Sequence, residues 1–97
     1  MDVRIQAIHF EIADKLTQFI NKKADRLSHR FPGITTLDVK LSVVKPETAM
    51  NKEVVVKATV PQQGETVATK VADSFEEAYD LAMEAIESQL EKKKDKK

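Results

Sequence analysis

The sequence predicts an α+β domain: four strands and two helices in the order β-α-β-β-β-α, with a mixed four-stranded sheet and both helices packed on one face. Two observations carry this. Apolar residues alternate with polar ones in four short stretches, and they recur at helical spacing in two longer ones. With 97 residues, the chain is one domain that buries about 60–65% of its unfolded surface, enough for a single core layer.

The first strand is "VRIQAIHF", with Val3, Ile5 and Ala7 on one side and Arg4 and Gln6 on the other. From Ile12 the period changes. Leu16, Phe19, Ile20, Ala24, Leu27 and Phe31 make a helical stripe that "FPG" stops at Phe31–Gly33, because proline disfavours helical geometry at the residue before it. The start of this helix is poorly capped, Glu11 being a weak substitute for Ser or Asp. Asp14 suits the positive end of the helix dipole.

"ITTLDVKLSVVK" is the second strand, with Leu37, Val39, Leu41 and Val43 inward, and "PETAMN" is a loop. In the third strand, "KEVVVKATVP", Val54, Val56, Ala58 and Val60 face inward. A two-residue turn at Gln63-Gly64 leads to the fourth strand, "TVATKVA". It sets Val60 opposite Val67, Ala58 opposite Thr69, Val56 opposite Val71, and Lys57 opposite Lys70 on the outer face. The second helix opens on "SFEE", a capping box with Ser74 as N-cap and Glu77 three residues on. Phe75, Ala78, Tyr79, Ala82, Ile86 and Leu90 form its apolar stripe. A right-handed crossover places the first strand parallel to the second.

Sixteen basic and sixteen acidic residues cancel, so any electrostatic argument rests on where the charges lie. On the first helix Lys15, Lys22, Lys23, Arg26, His29 and Arg30 fall within about 120° on one flank of the apolar stripe. Asp14, Thr17, Asn21, Asp25 and Ser28 take the other. The second helix is sorted in the opposite sense: Glu76, Glu77, Asp80, Glu84, Glu87 and Glu91 crowd an arc of about 100°. From Val71 to Glu91 there is no Lys or Arg, and then "EKKKDKK" releases five lysines. A helix dipole of about half a charge does not need five cations. If the helices pack side by side, one basic flank and one basic end form a positive surface suited to phosphates.

Catalysis finds no support. His9 and His29 lack metal-ligand spacing, no cysteine is present, and Gly33 and Gly64 are isolated turn glycines rather than a phosphate loop. The carboxylates of the second helix lie on a solvent face, where raised pKa values are not expected. No enzyme activity, cofactor or metal is expected. No apolar run reaches the roughly 18–20 residues of a membrane span, and the N-terminus has no signal-peptide pattern. The chain reads as cytoplasmic, with no membrane partner.

Three segments together resemble the short ribosome hibernation-promoting factors and the related ribosome-associated inhibitor of the sigma-54 modulation protein family. They are the element order, "TQFINKKADRLSHRF" with basic residues at Lys23 and Arg26 before Leu27, and "SFEEAYDLAMEAIESQLEKKKDK". In the last of these the family pattern falls on Ala78, Asp80, Gln89-Leu90 and the alternating Lys92, Lys94 and Lys96. The resemblance implies a double-stranded-RNA-binding-domain-like fold that lodges in the small ribosomal subunit. There it would overlap the mRNA and tRNA sites and idle ribosomes when growth stops. Carried over, Lys23, Arg26, Lys92, Lys94 and Lys96 would contact rRNA phosphates; the helical wheel adds Lys22 and Arg30.

The sequence departs from its relatives in places. Ser74 stands where many have Asp, Glu76 where an aromatic is frequent, and Ala85 and Ser88 where Lys and Arg are usual. The expectation is one domain over 1–97, ordered to about 92 with a basic tail over 92–97, lacking the C-terminal dimerisation domain of long forms and monomeric off the ribosome. The acidic face of the second helix would turn from rRNA or meet a basic ribosomal protein. The alternative reading is a protein-interaction module that uses the outer sheet face and binds no RNA.

Overall fold

The computed structural model describes residues 1–44, 50–61 and 63–95, the last three as backbone alone. Strand alternation translates directly into two sheet faces. β1 (Asp2–Ala7) exposes Asp2, Arg4 and Gln6 and half-buries Val3, Ile5 and Ala7. β2 (Thr36–Val43) buries Leu37, Val39 and Leu41, and β3 (Lys52–Val60) buries Val54, Val56 and Ala58. With β4 (Gly64–Ala72) they form one sheet in the order β1-β2-β3-β4, the first pair parallel and the others antiparallel. The crossover helix between β1 and β2 is α1 (Asp14–Arg30); α2 (Phe75–Asp95) follows β4. This is the predicted α+β arrangement.

Both helices contribute their apolar stripes to the same core. Leu16, Ile20, Ala24 and Leu27 of α1 join Ala78, Tyr79, Ala82, Met83, Ile86 and Leu90 of α2 over the inward residues of the strands. Each helix runs antiparallel to the strand before it, and those strands, β1 and β4, point the same way. The helices are therefore parallel to one another. The buried phenol of Tyr79 donates a hydrogen bond to the Ile20 carbonyl oxygen at 3.0 Å, and its ring meets Phe19 edge-on at 6.1 Å.

Capping agrees with the sequence in part: the N-cap of α1 is Ala13, not Glu11. Ala13 precedes α1 without a side-chain cap, while Asp14 sits in the first turn. At α2 the Ser74 Oγ accepts the Glu77 backbone N–H at 3.1 Å. Ser74→Ala should therefore lower stability by about 1 kcal/mol; a urea melt of the variant that overlays the wild type would contradict the capping role.

The fourth strand departs from expectation. Val60 pairs with Gly64, Ala58 with Thr66 and Val56 with Ala68, a shift of three residues from the predicted register. Gln63 N–H donates to the Val60 oxygen at 3.1 Å, and Gly64 takes φ 83°. A three-residue hairpin loop closed by a left-handed residue has this signature, and glycine adopts it without strain. An odd shift reverses the faces of the strand. Thr66, Ala68 and Ala72 are buried, whereas Val67 and Val71 stand outside at 48% and 36% exposure. Small side chains at 68 and 72 let α2 approach where two valines would hold it off. Lys57 accordingly lies opposite Val67, not Lys70, and its ammonium pairs with Glu65 at 3.4 Å. Lys70 lies opposite Val54 and is exposed at the sheet edge.

Candidate nucleic-acid interface

The stripe of α1 that packs into the core leaves its basic flank at the border with α2. Lys23 and Arg30 lie nearest the border; Arg26 and then Lys22 lie further round the helix toward solvent. Seven residues separate Lys23 from Arg30, and seven separate Asp80 from Glu87. Seven residues is about two helical turns, so on parallel helices the two steps align. Lys23 Nζ reaches Asp80 Oδ1 at 2.8 Å. One guanidinium nitrogen of Arg30 reaches Glu87 Oε2 at 3.0 Å, and the other pairs with Glu91. The like-charge crowding on α2 is thus relieved from α1, not from its own helix.

Aromatic rings hold both cations in place. Lys23 Nζ lies 5.5 Å from the Phe19 ring centroid, and the Arg30 guanidinium lies 5.6 Å from that of Phe31. Four of these side chains, Phe19, Lys23, Tyr79 and Asp80, meet at one point on the seam. Burial there, reinforced by the Asp80 carboxylate, pushes the Tyr79 phenol well above its ordinary value.

The seven candidate cations therefore divide. Lys22 and Arg26 are exposed and pair with no acid among the described residues. Lys23 and Arg30 are held by carboxylates. Lys92 is exposed immediately after Glu91, the residue that ties α2 to Arg30. Helical backbone extends through Asp95 and includes Lys94; Lys96 lies outside the described residues. Parallel packing thus sets the C-terminal end of the α1 flank beside the start of the lysine run. Sequence reading sorted both charged flanks but did not pair them; the matching seven-residue steps were the available signal.

No group of three His, Asp or Glu side chains among the described residues is arranged to hold a metal ion. No buried side-chain nitrogen or oxygen among them lacks a hydrogen-bond partner. No helix among them is long and apolar enough to cross a membrane. Phe10 stacks on Phe75 at 5.0 Å, closing the core beside the loop after β1.

The family described as Sigma 54 modulation protein / S30EA ribosomal protein matches residues 3–97. The chain belongs to that family. Among solved structures, this family member is similar to a ribosomal subunit interface protein from Coxiella burnetii. That match has a TM-score of 0.87 at 23% identity, covering 99% of this chain and 100% of the other. It is also similar to the N-terminal domain of Protein Y from Thermus thermophilus, with a TM-score of 0.78 at 20% identity over 95% and 98% of the two chains. No curated protein matches the chain. Membership agrees with the ribosome-hibernation family that the sequence resembles, and the two structures carry the same fold.

Proposed function

We propose that this protein is a non-enzymatic, cytoplasmic hibernation factor. It binds the small ribosomal subunit through rRNA phosphates and occludes the mRNA and tRNA decoding channel in non-growing cells. The observation that carries the reading is the parallel, side-by-side packing of α1 and α2, which aligns one basic flank with the start of one lysine run. Lys22 and Arg26 are the accessible α1 cations of the patch, Lys92 extends it, Lys94 and Lys96 are further phosphate contacts by family resemblance alone, and Lys23 and Arg30 join once their carboxylate partners release them. Affinity then arises largely from counterion release and falls steeply with salt. The acids that α1 leaves unused, Glu76, Glu77 and Glu84, are exposed and suited to a basic ribosomal protein.

The test is sedimentation of the purified protein with small subunits, large subunits and intact ribosomes, in the presence and absence of mRNA and initiator tRNA. Co-sedimentation with small subunits that mRNA and tRNA suppress is the expected result. Binding confined to large subunits, or indifferent to both ligands, would overturn the reading.

One observation favours a second reading. The reversed faces of β4 put Val67 and Val71 outside, on either side of Thr69, which lies opposite Val55. That apolar strip on an uncovered sheet face suits a protein partner. Binding through it would be nearly insensitive to salt, which separates it from phosphate binding.

A further inference from the structure

We propose that Glu87 and Glu91, with Asp80, determine the specificity of the cationic patch. They occupy Arg30 and Lys23 in the free protein and yield them only to a phosphate array that fits. This rests on the polyanion-binding reading above and adds a set of acidic residues to it.

The geometry is that of a built-in competitor. A guanidinium presents a planar fork of N–H donors that matches either a carboxylate or a phosphate, and both prongs of Arg30 are taken by α2. These pairs are exchangeable, because the Arg30 side chain is 55% exposed and its two partners 36% and 46%. Exposed ion pairs are weak, so a correctly placed phosphate displaces the carboxylates. A polyanion without that placement must still break the pairs, and it then meets two freed carboxylates at short range. The zero net charge of the chain acts in the same sense, since no surplus positive field draws in arbitrary nucleic acid. Lys22 and Arg26, which have no such partners among the described residues, make the first contact.

The experiment compares Glu87→Gln/Glu91→Gln with wild type on two probes, purified small subunits and an unrelated RNA duplex, across a salt series. Freeing Arg30 should raise duplex affinity by about tenfold and steepen its salt dependence by about one phosphate equivalent. Affinity for small subunits should move much less, so discrimination falls. Two controls isolate the cause. Glu76→Gln/Glu84→Gln makes the same change in net charge at acids without an ion pair among the described residues, and should shift duplex affinity by under about threefold. Arg30→Gln breaks the same pairs but adds no cation, and should not raise duplex affinity.

Equal gains in the two glutamine doubles would overturn the proposal, as would a gain in Arg30→Gln or no gain at Glu87 and Glu91. Should wild type fail to bind small subunits while the duplex series behaves as stated, the ribosomal reading fails and the competitor stands.

Discussion

If the proposed interface is right, Lys22→Glu combined with Arg26→Glu should remove the protein from small subunits and leave its far-ultraviolet circular dichroism unchanged. Both side chains are exposed and pair with no acid among the described residues, so reversing them should cost under about 0.5 kcal/mol of stability. The binding effect is large because each cation is free to give a phosphate a charge-assisted hydrogen bond, contributing about 1.5–3 kcal/mol. Losing two gives a drop of roughly 100-fold to 10,000-fold, and the slope of log affinity against log salt should shrink by about two. The same reversal at Lys23 and Arg30 would be harder to interpret, since it also breaks the ties to Asp80, Glu87 and Glu91. Retention of binding by the Lys22/Arg26 variant, measured by co-sedimentation, would move the interface elsewhere on the molecule.

Tyr79→Ala should bring the domain close to unfolding. The side chain is fully buried, touches both helices and holds α2 to the Ile20 carbonyl. Truncating a buried aromatic costs about 3–5 kcal/mol, against a total stability of about 5–15 kcal/mol for a domain. Tyr79→Phe keeps the ring and loses one hydrogen bond, a cost of about 1 kcal/mol. Alkali separates these contributions. Below pH ~10 the phenol is neutral in both the folded and unfolded chains, and its stabilising effect is fully present. Above that value only the unfolded chain ionises. Stability then falls with rising pH, by up to about 1.4 kcal/mol per unit, until the folded phenol itself titrates.

This is the one tyrosine, in a chain without tryptophan, so phenolate absorbance reports it alone. Ionisation should coincide with loss of helical circular dichroism, and the alkaline slope should be weaker in Tyr79→Phe. A phenol that titrates near its ordinary value in a folded protein would refute its burial.

Much of the fold could be read directly because in β2 and on both helices the large apolar residues gather on one face. In β2 and β3 the buried inward positions hold Leu, Val or Ala, with Lys52 only at the start of β3, while the outward positions of β2 are polar. On α1 the stripe from Leu16 to Leu27 admits a single orientation. β4 lacks that asymmetry. Val67 and Val71 on one face compete with Ala68 and Ala72 on the other, and the more hydrophobic pair is the one left outside. The choice belongs to the φ of Gly64 and to the room α2 needs, and neither is a property of a seven-residue window. Met83 was missed from the core for a similar reason, lying at the edge of the α2 stripe.

The charges divide along the same line. Local order in the chain determined that α1 carries its cations on one flank, that α2 carries its acids in one arc, and that lysines close the sequence, since helical periodicity alone assigns those faces. Only tertiary packing decided that the two helices run parallel with their seven-residue steps in register, and so that Lys23 and Arg30 are held by acids while, among the described residues, Lys22 and Arg26 are not. Periodicity determines the direction in which a side chain points; what it meets there depends on the distance and sense of a second element tens of residues away.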